Sequence, residues 1–145
     1  MFSKSCEYAI RASIIICQHS QLGKKINIRE LSEIAEVPES YLAKVMQIIA
    51  RKGIVNSTKG PGGGFFFNDQ MTVRLLDIVI AIDGNDMFSQ CGLGLKECSE
   101  KNPCAMHEQF KVLRTDLKQM LSKTTLKELS DSVPLGKLNK FILDN

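Results

Sequence analysis

The chain of 145 residues is 43% hydrophobic and 24% charged, enough apolar side chains for one packed core and too many for a disordered chain. Its net charge of +3 is uneven: residues 1–70 carry nine Lys/Arg against six Asp/Glu, and residues 71–145 carry ten of each. No run approaches the ~18 apolar residues of a membrane span. No basic segment leads into a long apolar stretch and a small-residue cleavage site. The chain therefore reads as soluble and cytoplasmic, with no membrane partner. In that compartment five cysteines, an odd number, argue against structural disulfides. They are left as buried hydrophobes, metal ligands or redox sensors. A basic half joined to a neutral half fits a nucleic-acid-facing unit, and equally fits a solvated charge pattern.

Residues 6–20 read as a helix. They are mostly apolar, lack Gly and Pro, and carry an apolar surface wide enough for burial on more than one side. Cys6 and Cys17 on it read as small core residues. Glu7 reads as a first-turn acid favoured by the helix dipole. Asn27 and Glu30 have the spacing of a capping box, opening a second helix that Val37-Pro38 should end. Pro38 should open a third helix at a position where its missing N–H costs nothing. On this helix Leu42, Val45, Met46 and Ile49 form a core face, and Ser40, Lys44, Gln47 and Arg51 form the opposite face, with Gly53 as the stop signal. Residues 54–57 and 65–67 read as two strands joined by the glycine-rich turn 59–64. Thr72 should cap a fourth helix carrying Leu75, Leu76, Val79 and Ile82 and ending at Asp83-Gly84. Residues 85–107 show no helical or strand period. Helix returns over residues 108–122, with Phe110, Leu113, Leu117 and Met120 or Leu121 on one stripe. Thr125 and Glu128 form a second capping box before a short last helix, and the tail follows Pro134.

Three helices followed by a β-hairpin, the third helix amphipathic and basic outside, is the pattern of a winged helix-turn-helix. A helix in the major groove needs a core face that fixes it and a polar face that reads base edges. Ser40 and Gln47 donate and accept, Lys44 and Arg51 reach guanine edges or phosphate, and Tyr41 flanks them. In the wing, Ser57 and Lys59 stand beside the bare backbone of Gly60 and Gly62, which suits a phosphate or a minor groove. The glycine-rich turn lacks the Gly-Lys-Ser/Thr ending of a nucleotide-binding loop.

Cys91, Cys98, Cys104 and His107 fall within seventeen residues as C-x6-C-x5-C-x2-H. Three thiols and an imidazole on a loop loosened by Gly92, Gly94 and Pro103 have the chemistry of a metal centre. The spacings are wider than the paired knuckles of structural zinc and suit an iron–sulfur cluster. No acid/base constellation accompanies them, so an enzyme is not expected.

The opening Glu7-Tyr8-Ala9, the run Ser40-Tyr41-Leu42-Ala43-Lys44-Val45, the wing from Gly53 to Phe65 and the cysteine loop together resemble the IscR/NsrR-type winged-helix regulators, the Rrf-two family. The resemblance covers nearly the whole chain. It implies a mainly α fold: a winged helix-turn-helix DNA-binding domain over residues 1–84, a cluster-binding loop over 85–107, and a dimerisation helix and tail over 108–145. It implies a homodimer, with Phe110, Leu113, Leu117 and Met120 in the dimer helix, on a palindromic double-stranded DNA operator. It also implies an iron–sulfur cluster on Cys91, Cys98 and Cys104 whose state changes DNA binding in response to redox, nitric oxide or iron–sulfur status. The fourth ligand is His107, as in some relatives, or Glu7 reaching from the partner subunit, as in others. His107 is preferred because it completes the loop locally, and with it the cluster is [2Fe–2S]. With Glu7, [2Fe–2S] and [4Fe–4S] both stay open. The first cysteine gap is one residue longer than the commonest pattern. Lys59 stands where arginine is frequent, and Ala43 where some relatives have a carboxylate. The alternative is a cluster-free winged-helix regulator controlled by thiol chemistry or a protein partner.

Overall fold

The computed structural model describes residues 1–134. The tail after Pro134 lies outside the described residues. Helix α1 (Lys4–Gln21) is the centre of the molecule and packs against four other helices. Ala9, Ala12, Ile15 and Ile16 are almost fully buried, as the width of its apolar surface predicts. Ser3 starts it, accepting the Cys6 N–H at 3.1 Å while its own N–H and hydroxyl donate to Asp83.

Helices α2 (Ile28–Ala35) and α3 (Glu39–Arg51) form the tight helical pair. Asn27 Oδ1 accepts the Glu30 N–H at 2.9 Å, as its spacing predicts. The stop comes earlier than Val37-Pro38. Glu36 takes a left-handed backbone (φ 55°), and the Val37 N–H closes back on the Ser32 carbonyl at 3.1 Å. Pro38 is thereby the residue flanking α3 rather than its first helical residue. All four predicted core positions of α3, Leu42, Val45, Met46 and Ile49, are buried.

The hairpin pairs β1 (Asn56–Thr58) antiparallel with β2 (Gly64–Phe66), and Ser57 faces Phe65. Ile26 bridges the far side of Phe65 through two backbone hydrogen bonds of 3.1 and 2.8 Å, tying the wing to the start of α2. Gly64 is required there. Its φ of 145° suits glycine, and a Cβ would collide with the Ile26 backbone.

Helix α4 (Leu75–Asp83) begins three residues beyond Thr72, which does not cap it. Arg74 flanks the helix, and its N–H donates to the Asp77 carboxylate at 2.8 Å. The reason is non-local: residues 73–75 pair with 124–126, the Leu126 N–H on Val73 and the Leu75 N–H on Thr124, so this stretch is extended. Beyond a 3₁₀ turn at Asp86–Phe88 the chain loops to α5 (His107–Lys123), and α6 (Leu126–Ser132) returns along α1. Both bonds of the predicted Thr125/Glu128 capping box are present. A second small core of Cys6, Val79 and Leu121, with Leu117 against it, roots α5 in the body. Among the described residues no helix is long and apolar enough to cross a membrane.

Candidate DNA interface and metal centre

The outer face of α3 is exposed at Ser40, Tyr41, Lys44, Gln47 and Arg51. This follows from the opposite stripe being spent on the core. Tyr41 is held, not loose: its ring meets Tyr8 edge-on, with centroids 5.5 Å apart, and its hydroxyl lies 2.8 Å from the Ser5 hydroxyl. Ser57, Lys59, Gly60 and Gly62 stand exposed on the wing. Helix and wing flank a cleft of about 390 Å³ that brings Gln47 of α3 together with Ser57, Lys59 and Gly60 of the wing; Ser40, Tyr41, Lys44, Arg51 and Gly62 do not line it. Lys25 belongs to the same surface. Its ammonium sits 4.9 Å over the Phe66 ring and 3.3 Å from the Thr58 hydroxyl. The basic pair Lys24-Lys25 just before the Asn27 cap is the sequence signal for it.

The Sγ atoms of Cys91, Cys98 and Cys104 all lie within 4.8 Å of one another, and those of Cys91 and Cys104 are 3.6 Å apart. His107, the first residue of α5, is buried and places Nδ1 3.2 Å from Cys98 Sγ. Three thiols converging on one point with an imidazole beside them fit an iron–sulfur cluster or another soft metal. Backbone N–H groups of Leu95 and Leu93 bring the Cys91 thiol down to about 7. The backbone contact from Cys104 pulls Cys98 down too, but desolvation and its thiol neighbours outweigh it and the net shift is upward. A Cβ on Gly92 would collide with the Phe110 ring, so the loop and α5 are in direct contact at this glycine.

Within one chain Glu7 does not join this group. It lies in the first turn of α1 and pairs with Lys4 at 3.0 Å. Glu100, an acid that sequence reasoning passed over, faces His107 Nε2 at 3.6 Å and pairs with Lys111 at 2.8 Å. That Lys111 contact holds the Glu100 carboxyl below its ordinary value. Cys6 and Cys17 are buried in the helical core, as expected. Of the stripe on α5, Phe110 and Leu117 are half-buried against the chain, whereas Leu113 and Met120 are more than half exposed.

A family model described as "Rrf2: Iron-dependent Transcriptional regulator" matches residues 2–132. An HTH-type transcriptional regulator, so described, from Aquifex aeolicus (strain VF5) is 28% identical over 132 residues, spanning 89% of this chain and 90% of that protein. The HTH-type transcriptional regulator IscR of Photorhabdus laumondii (strain DSM 15139) is 28% identical over 123 residues, spanning 84% of this chain and 74% of the relative. Among solved structures, CymR (YrzC), the global cysteine regulator of B. subtilis, matches with a TM-score of 0.75 at 20% identity, covering 92% of this chain and 98% of that one.

Proposed function

The chain belongs to the Rrf2 family of transcriptional regulators, and from that premise we propose that it is a homodimeric regulator of a palindromic operator, with an iron–sulfur cluster as sensor. In this reading α3 enters the major groove with Ser40, Tyr41, Lys44, Gln47 and Arg51. Ser57, Lys59, Gly60 and Gly62 of the wing meet phosphates or the minor groove. One observation carries the sensor: three thiols within 4.8 Å of one another, with the His107 ring 3.2 Å from Cys98. Cys91, Cys98, Cys104 and His107 would hold the cluster, [2Fe–2S] in preference to [4Fe–4S]. Bound there, it supplies one-electron chemistry and reactivity toward oxygen and nitric oxide. His107 begins α5 and Phe110 lies against Gly92, so a change in the loop meets α5 directly.

The Cys91–Cys104 pair supports a second reading, regulation by thiol chemistry without a cluster. The two sulfurs are 3.6 Å apart, and Cys91 near 7 is largely thiolate above neutral pH. Anaerobic purification with an absorption spectrum and iron and sulfide analysis separates the two. The cluster reading expects a coloured protein with about two irons and two sulfides per chain. A colourless protein that takes up no iron on reconstitution, and loses two thiols to mild oxidant, overturns it in favour of the second.

A further inference from the structure

We propose that Glu100 is a positioning residue for His107, holding the imidazole so that Nδ1 is the ring nitrogen presented to the metal. This rests on the reading of Cys91, Cys98, Cys104 and His107 as a metal centre. His107 is only 8% exposed, and its Nε2 is buried without a hydrogen-bond partner among the described residues. An unpaired buried N–H costs about 1–3 kcal/mol, so such a group calls for an acceptor. The carboxylate facing it is Glu100, with Oε1 3.6 Å away, a few tenths of an ångström beyond a hydrogen bond. The other nitrogen, Nδ1, lies 3.2 Å from Cys98 Sγ. The two ring nitrogens therefore face different partners, one the thiols and one a carboxylate. A carboxylate only accepts, so Nε2 carries the hydrogen and Nδ1 keeps the lone pair. Carboxylate–histidine–metal arrangements use the same division of roles to fix the tautomer and raise the basicity of the ligand. Glu100 is itself held. The Lys111 ammonium reaches its two carboxylate oxygens at 2.8 and 2.9 Å, from four residues past His107 on α5. The helix that carries the imidazole thus also carries the clamp on its partner.

The test compares Glu100→Leu, Glu100→Gln and Glu108→Gln in the full chain. Glu108 holds a carboxylate oxygen within 4.8 Å of the Glu100 and His107 ligand atoms, whereas the ion pair to Nε2 among the described residues is made by Glu100, so Glu108 controls for nearby charge. In the metal-free, reduced protein at about pH 8, two-bond proton–nitrogen correlations of His107 should show the Nε2–H tautomer. Glu100→Leu should mix in Nδ1–H, and Glu108→Gln should not. In protein reconstituted with iron and sulfide, Glu100→Leu should raise the midpoint potential and speed cluster loss to a chelator about tenfold. Glu100→Gln, which keeps an acceptor oxygen, should fall between. A Glu100→Leu protein with the wild-type tautomer and chelator rate overturns the proposal, as does an equal effect from Glu108→Gln. If the wild-type protein takes up no iron, the metal-centre reading fails, and the tautomer measurement still decides whether Glu100 orients His107.

Discussion

Gln47 and Lys59 line the same cleft, but their chemistry assigns them different work. The Gln47 amide both donates and accepts and can discriminate base edges, whereas the Lys59 ammonium is a point charge on the wing. Gln47→Ala should therefore relax base preference at one position by about 1–3 kcal/mol. Lys59→Ala should weaken binding to all sequences and lower the salt slope by about one. Operator titrations at several salt concentrations read both, and no change in either removes these residues from the interface. In the cluster reading the fourth ligand is also a question of residues: in protein reconstituted with iron and sulfide, His107→Ala should disturb the absorption spectrum more than Glu7→Ala, and the reverse order refutes the choice of His107. Cys6 supplies a pH dependence. Burial first, then the Asp83 carboxylate, pushes its thiol from 9.0 up to about 12. Between those values the folded chain keeps a proton that the unfolded chain has lost, so stability falls as pH rises through that window. Urea midpoints measured from about pH 8 to 10.5 should decline more steeply for the wild-type protein than for Cys6→Ala.

At the scale of elements, the sequence is most legible where the deciding contacts are local. Asn27 and Thr125 cap the helices they precede because each side chain needs only an N–H three residues ahead. Thr125→Ala should cost about 1 kcal/mol in chemical denaturation, since the Glu128 N–H loses the hydroxyl that accepts it. An unchanged midpoint would mean that packing alone holds α6. Thr72 fails as a cap for the opposite reason. The stretch after it is claimed by pairing with residues about fifty positions away, and nothing near Thr72 announces that. The stop of α2 at Glu36 was also unreadable, because a left-handed turn usually advertises itself with glycine or asparagine.

For the whole molecule, the question is what α5 does with its exposed side. Leu121 and Leu117 root it in the body, yet Val112, Leu113 and Met120 are each more than half exposed. In the dimeric reading these residues meet a second copy, and the spacing of two α3 helices then sets the operator's half-sites. Leu113→Glu should lower the dimer fraction in sedimentation and abolish cooperative binding to a palindrome, with little loss of monomer stability because Leu113 buries little within its own chain. A dimer of unchanged strength would place the interface elsewhere.

The sequence by itself determined the helix periods, the wing, the two-sided character of α3 and the thiol and imidazole chemistry of the cysteine loop. Each is a matter of side-chain chemistry at short spacing, which a linear chain displays directly. Only the tertiary structure decided that the three thiols converge, that Lys25 shares the wing surface, and that Glu100 faces the buried edge of His107. It also separated Glu7 from the thiols within one chain and divided the α5 stripe into buried and exposed halves. These depend on how loops fold back and helices dock. In the sequence Glu100 is one surface acid among many, and it becomes distinctive only once the chain buries the imidazole opposite it.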